Sequence, residues 1–373
     1  MAALLDDRAI AERIFSHIEA GTTDLSDASW REPVENYRSQ ARFDAELARV
    51  LRRTPTPFCP AAALAEPGAW LARTAAGTPV MAVRGDDGRV RAFRNACRHR
   101  GMQLVEGAGC GRALACRYHG WTYGLDGALR HVPHADGFPG LDRSAHGLSE
   151  LPAFEKCGLV FVAQDAGARD DGSFDGLPDF IGADQRMFHQ RESLVPANWK
   201  IFLEGFLEGY HIKTTHPTTF YPFGFDNLNV VETFGRNSRV TFPFQRIRKL
   251  AQVPPAERRV RGALTYVYHL FPNAIVTTFS HHTQLLVLEP VSLGETRLVA
   301  YLLTNRPAGD ATAQADAERD AAFVNQTGGA EDAAVVCAIQ RGLASGANDA
   351  FTYGRFEGAI SHFHRALHAA LSG

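Results

Sequence analysis

Hydrophobic and polar positions follow one rhythm at the two ends of the chain and another in between. The N-terminal stretch mixes Asp6, Asp7, Arg8, Glu12 and Arg13 with apolar residues, which predicts an amphipathic helix over residues 1–20. The run Phe43 to Leu51 keeps helical spacing until Pro55, Pro57 and Pro60 end it. From residue 58 to 165 the pattern changes to short apolar runs punctuated by glycine and aspartate: Val80–Val83, Val90–Phe93, Leu114–Cys116 and Leu159–Val162. Asp86-Asp87-Gly88 and Asp126-Gly127 are hairpin signals, so this region reads as a small all-β domain.

Residues 166–178 read as a loop or linker. A helical stretch follows Asn198. Strands are then predicted at Val230–Phe234, Ser238–Phe242, Ala263–Leu270, Ile275–Ser280, Gln284–Pro290 and Thr296–Thr304, forming a broad antiparallel sheet. The tail from Asp316 to Leu371 returns to helical spacing, with a final amphipathic helix from Gly358. The segment 307–318 is rich in alanine and aspartate but too short to be a disordered domain. The expected division is 1–50 as helices packing on a catalytic domain, 51–165 as the β domain, and 166–373 as the catalytic domain.

Composition narrows the class. The 373 residues allow two domains, and 45% hydrophobic with 21% charged residues is globular. Net charge is 39 − 41 = −2, which points to neither nucleic acid nor an anionic membrane as partner. No run approaches the roughly 18 apolar residues of a membrane span. The N-terminus does not read as a secretory signal. Six cysteines, at 59, 97, 110, 116, 157 and 337, are too scattered for a disulfide framework and suit a reducing cytoplasm.

Four side chains carry the first chemical signal. Cys97-x-His99 and Cys116-x-x-His119 are two half-motifs, each pairing one thiolate with one imidazole. Tetrahedral zinc takes the same donor set, but zinc fingers usually segregate cysteines and histidines. Mixed halves suit a [2Fe-2S] cluster in which one iron takes both thiolates and the other both imidazoles. Gly101, Gly120 and Gly124 offer tight turns around it. Cys110, in G-A-G-C-G, has no paired histidine and is left out.

The second signal is Asn198-Trp-Lys through His216-Pro. Glu204 and Glu208 precede His211 at helical spacing. His216 lies five residues after His211, which requires the helix to loosen between them. Two histidines with one carboxylate leave open positions on a ferrous ion. Asp332 is the preferred third ligand, since Val335, Val336 and Ile339 follow it at helical spacing. Glu331 is its neighbour and competitor, because a helix is expected to turn only one of the two inward.

With C-R-H-R-G, C-R-Y-H-G-W-T-Y, N-W-K, E-G-Y-H-x₄-H-P and the late Glu331-Asp332 before Gln340-Arg-Gly-Leu343, the chain resembles the large (α) subunit of Rieske non-haem iron oxygenases, the aromatic-ring-hydroxylating dioxygenase family. The likeness runs from about Pro57 to His364. It implies an α+β protein: a small all-β Rieske [2Fe-2S] domain plus a helix-grip-like catalytic domain with an antiparallel sheet and flanking helices. It implies that Cys97, His99, Cys116 and His119 hold one [2Fe-2S] cluster, and that His211, His216 and Asp332 hold one mononuclear Fe(II).

The resemblance also implies a homotrimer in which Glu208 links His119 of one subunit to His211 of the next. Many members have aspartate at that position, and a glutamate is found in members acting on quaternary-ammonium substrates. Gly205 stands where members often carry asparagine. The expected partners are O2, a small organic substrate and a separate NAD(P)H reductase, with or without a ferredoxin, since the chain has no dinucleotide- or flavin-binding pattern. The expected reaction is mono- or dioxygenation of a small, aromatic substrate. Oxidation of a quaternary-ammonium compound is the alternative, and a simple electron-transfer protein or a zinc-stabilised binding module are readings of other classes. Phe220-Tyr-Pro-Phe-Gly-Phe225 is expected either to line a pocket or to pack as a core loop. The basic run Arg246, Arg248, Lys249, Arg258, Arg259 and Arg261 is expected to be a solvated loop, a carboxylate site or a docking patch.

Overall fold

The computed structural model describes all residues except 1–3, 176, 178, 308, 309, 311 and 373; part of the predicted 166–178 linker and of the 307–318 segment therefore lies outside the described residues. The chain divides into two compact units, Leu51–Asp171 and Met1–Val50 together with Gly172–Gly373.

The smaller unit is built from antiparallel strands. Glu150–Leu151, Val90–Arg94, Thr78–Arg84, Ala69–Ala75 and Gly107–Cys110 form a five-stranded sheet in that order. Ala153–Lys156, Leu159–Val162 and Thr56–Pro60 form a second sheet, and Leu114–Ala115, Thr122–Tyr123 and Leu129–His131 a third. The two hairpin signals sit in turns. Gly127 has φ +82°, and a Cβ there would stand 2.5 Å from the Phe93 ring. Met81, Val83, Phe93, Leu104, Leu114, Trp121 and Tyr123 form the core, and Cys97 and Cys116 belong to the same buried cluster.

The larger unit carries a seven-stranded, wholly antiparallel sheet. Its order is Met187–Val195, Glu295–Thr304, His282–Ser292, Ala274–Thr278, Leu264–Leu270, Asn237–Pro243 and Val230–Phe234. The first of these was not expected from the sequence. It is an edge strand with mostly exposed side chains, so Met-Phe-His-Gln-Arg-Glu-Ser shows no apolar alternation. Against the sheet, Trp199, Ile201 and Leu203 share a core with Val240, Ile275, Leu286, Ile360, Phe363 and Leu367.

The N-terminal helix Asp7–Ala20 is capped by the Asp6 carboxylate on Ala9 N and ends at Gly21 with φ +63°. Its Ile10 and Ile14 are buried with Val230, Ile247 and Leu264. The C-terminal tail is three helices, Ala313–Gln326, Gly328–Gly342 and Gly358–Ser372, with a strand, Ala350–Tyr353, that pairs with Trp30–Pro33.

A buried ion pair ties the N-terminal segment to the site-bearing helix. Lys200 Nζ lies 2.8 and 2.9 Å from the Glu46 carboxylate oxygens, both side chains only 1% exposed. Arg42 and the Trp199 indole also donate to Glu46. Removing one partner strands a desolvated charge, so Lys200→Met is expected to cost about 3 kcal/mol in urea denaturation. A midpoint matching the wild type would show the pair to be dispensable.

Candidate metal centres and the cavity beside them

The two half-motifs fold alike. Gly101 N donates to Cys97 O at 2.8 Å and Cys97 N to Met102 O at 2.8 Å. In the second loop Gly120 N donates to Cys116 O at 2.9 Å and Cys116 N to Trp121 O at 2.8 Å. Gly101 and Gly120 have φ of +79° and +74°, so each loop closes through a left-handed glycine four residues after its cysteine. Gly124 does not have that conformation. It is small because a Cβ would meet the Asp126 carboxylate at 2.5 Å.

These loops bury both thiols and bring the imidazoles together, with His99 Nδ1 and His119 Nδ1 3.1 Å apart. Trp121 stacks on His99 at 5.0 Å and Tyr118 on His119 at 3.7 Å, which fixes both rings. The Tyr123 hydroxyl accepts from Arg98 N and lies 3.3 Å from Cys97 Sγ, where it can donate to a thiolate. Tyr123 closes the C-R-Y-H-G-W-T-Y motif, and the spacing of the metal donors alone does not single it out.

A single tetrahedral zinc needs all four donors within about 4 Å of one another. Among the described residues, the groups of three or more metal-type donors converging within 4.8 Å do not include these cysteines and histidines. The donors therefore fit a centre with two metal atoms better than one holding a lone zinc ion.

The second donor set does converge. His211, His216 and Asp332 offer ligand atoms all within 4.8 Å of one another. Asp332 Oδ1 lies 2.9 Å from His216 Nε2 and 3.8 Å from His211 Nε2. His216 Nε2 is buried, and its one close neighbour, Asp332 Oδ1, stands off the hydrogen-bonding direction, as two ligands of one ion would. The opposite ring edges are taken by carboxylates: Glu208 on His211 Nδ1, and Glu331 on His216 Nδ1 at 2.7 Å. Thr219 Oγ1 also donates to Glu331, at 2.7 Å.

Such carboxylate–imidazole pairs fix the tautomer and turn each bare Nε2 toward the ligand position. Burial pushes both histidines down, but the surrounding carboxylates outweigh it and leave both above the ordinary value. The pocket is short of positive charge, and a divalent cation fits it.

Local backbone explains this arrangement and corrects the expected helix. The helix Trp199–Glu204 stops at Gly205, and only the short turn Ile212–Thr215 follows. Between them the Glu208 carboxylate accepts from the backbone N–H groups of Tyr210 and His211, replacing helical carbonyls as their partner. Pro217 lacks an N–H to carry the turn onward. On the other side, Asp332 and Glu331 both face His216, against the expectation that only one turns inward. The ring presents two nitrogens on opposite edges, so consecutive helix residues can each reach one.

A cavity of about 530 Å³ opens on all three candidate ligands. Phe220, Phe223 and Phe225 line it with Phe242, Phe244 and Phe279. Gly328 makes room for this wall, since a Cβ there would stand 2.0 Å from Phe220. Gly205 also lines it, and its side-chain direction is open apart from the Phe202 carbonyl at 3.6 Å.

A second cavity, about 510 Å³, reaches His211 and Asp332 past Glu204, Glu208 and Glu357. Burial, with Glu208 and Glu204 nearby, pushes the Glu357 carboxyl up to about 7. Of the basic run, Arg246 lines the phenylalanine cavity. Arg258, Arg259 and Arg261 bind backbone carbonyls instead, and Arg248 lies over Phe225.

A cysteine–histidine β unit and a separate unit with two histidines and a carboxylate over an antiparallel sheet define a protein with two kinds of metal centre. A family profile described as the Rieske [2Fe-2S] domain matches residues 54–152, and one described as the ring hydroxylating alpha subunit (catalytic domain) matches residues 183–373, just over half of the chain. The chain belongs to the ring-hydroxylating α-subunit family. Its two domains imply a [2Fe-2S] cluster and a mononuclear iron.

The carnitine monooxygenase oxygenase subunit of Acinetobacter pittii is 30% identical over 201 residues, 51% of this chain and 54% of that protein. The match thus spans about half the length of that relative. Chloroplastic choline monooxygenase of Spinacia oleracea is 25% identical over 357 residues, 91% of this chain and 78% of that one. A solved quaternary ammonium Rieske monooxygenase superposes with a TM-score of 0.80 at 22% identity, covering 93% of this chain and 96% of the other. At that identity the likeness concerns the fold.

Proposed function

We propose that the chain is the terminal oxygenase component of a Rieske-type system, hydroxylating a small organic substrate with O2 and electrons from a separate NAD(P)H reductase. The observation that carries this is the convergence of His211, His216 and Asp332 on one point at a phenylalanine-lined cavity. Cys97, His99, Cys116 and His119 are assigned to the cluster, and His211, His216 and Asp332 to the mononuclear iron. When bound, the cluster supplies electrons singly and the ferrous ion supplies reductive activation of O2.

The protein's own share is positional. His211 and His216 keep their protons on Nδ1, facing Glu208 and Glu331, and so present bare Nε2 atoms. Asp332 provides the charge, and the three together leave coordination positions free on one face. Phenylalanine walls exclude water and hold an apolar body near that face. A monooxygenation places one oxygen atom in a substrate C–H bond and releases the other as water, consuming two electrons and two protons.

The reading includes a homotrimer, a cytoplasmic location and Glu208 as the connection to a neighbouring subunit's cluster. Two substrate classes remain within it. The cavity's aromatic faces suit a flat ring, and equally a methylated ammonium, the class named for the quaternary-ammonium relatives. Metal analysis tests the core of the proposal. About three irons and two acid-labile sulfides per chain are expected. A preparation that is active with zinc alone would overturn it.

A further inference from the structure

One hairpin adds polar side chains to the phenylalanine cavity at a distance in sequence from the candidate ligands. The strands Ala274–Thr278 and His282–Ser292 pair as a hairpin, with Thr277 opposite Gln284. Both side chains line the cavity, and both are deeply buried, 4% and 8% exposed. Both present polar groups to the cavity, the Gln284 amide able to donate and the Thr277 hydroxyl able to donate or accept.

At the tip of the same hairpin, Ser280 accepts a 2.8 Å hydrogen bond from the Arg246 guanidinium. Arg246 stacks over Phe244, its guanidinium carbon 4.5 Å from the ring centroid. Ser280, Arg246 and Phe244 all line the cavity. No carboxylate pairs with Arg246 among the described residues. The nearby acid Asp320 is engaged instead by His282 Nδ1 at 2.8 Å and His281 N at 2.9 Å.

An arginine held in place by a hydroxyl and a ring, with no counter-charge among the described residues, on a cavity that two further polar side chains of the same hairpin line, describes half of an anion site. We propose that this hairpin end recognises a carboxylate, so that the compound oxidised in the cavity is an organic acid or a zwitterion whose carboxylate is held by Arg246, with Gln284 and Thr277 taking its remaining hydrogen bonds. The inference rests on the proposed iron site only for which part of the ligand reacts. The phenylalanines take the apolar or methylated-ammonium body and direct it toward His211, His216 and Asp332. A planar guanidinium matches a carboxylate with two parallel N–H groups, which a lysine could not.

The test is equilibrium binding by calorimetry, under anaerobic conditions and on iron-loaded protein, of matched acid and amide pairs: benzoate with benzamide, and γ-butyrobetaine with its amide. Choline serves as a trimethylammonium compound without a carboxylate. In the wild type, at least one acid is expected to bind about ten- to a hundredfold more tightly than its amide. That preference should vanish in Arg246→Gln and survive in Arg246→Lys only in part. Gln284→Leu should weaken acid binding without restoring the amide.

Equal binding of acid and amide, choline as the tightest ligand, or no acid binding at all would each overturn the proposal. So would loss of the preference in Arg191→Gln but not in Arg246→Gln, because Arg191, bonded to Asn325, is the other guanidinium on the cavity. Unchanged iron content and unfolding midpoint in each variant separate these outcomes from misfolding. The iron reading stands or falls separately, on metal content.

Discussion

Replacing Asp332 with alanine is expected to take iron from about three atoms per chain to about two, leaving the visible spectrum of the cluster unchanged. Asp332 Oδ1 is the oxygen nearest both Nε2 atoms, at 2.9 and 3.8 Å, and the paired histidines alone supply neither charge nor a third donor. The neighbouring carboxylate gives the contrast. Glu331 sits on the far edge of His216, so Glu331→Gln should keep the iron with affinity lowered about 10–100-fold, as for other groups that orient a ligand. Iron retained in Asp332→Ala but lost in Glu331→Gln would exchange the two roles. Retention in both would place the metal elsewhere. Since the cluster is assigned to residues of the other unit, its spectrum provides an internal check that the variant has folded.

That pair of carboxylates also marks the limit of what the sequence discloses. Spacing makes the cluster loops legible because each ligand pair lies within a few residues and is punctuated by glycine, and the central strands are legible because they are apolar throughout. His211 and His216 stand out for similar local reasons. Glu331 could not be assigned from helix periodicity, which asks which way a residue points and not how many sides its target has. The expected helix through Glu208 fails for a related reason: its side chain takes over backbone hydrogen bonds that periodicity assigns to carbonyls. The edge strand Met187–Val195 is invisible because one row of its side chains faces a cavity and the rest solvent, so no apolar face is written into it. The Arg246–Ser280 contact and the Thr277–Gln284 pair depend on register between segments far apart in sequence or joined by a turn. The basic run therefore gave no hint that one of its members differs from the others.

Glu208→Gln is expected to retain normal iron and sulfide while losing about 10–100-fold in substrate turnover. The amide is the same size and its oxygen can still accept the His211 Nδ1 proton, so the ring should keep its tautomer, while the second oxygen, which accepts the Tyr210 and His211 N–H groups, is replaced by an NH2. What it lacks is negative charge and a second acceptor. If Glu208 connects His211 to a cluster histidine of a neighbouring subunit, it must accept from two imidazoles at once, and glutamine can serve only one of them well. The loss should therefore fall on electron delivery. With the cluster chemically reduced beforehand, substrate-triggered oxidation of the cluster should slow by the same factor, while ligand binding to the cavity stays at the wild-type level. Glu208→Asp, shorter by one methylene but still charged, should recover part of the rate. Undiminished cluster oxidation in the glutamine variant would exclude the connecting role and leave Glu208 as an orienting partner of His211 alone. Lost iron would instead show that its charge is needed to hold the metal.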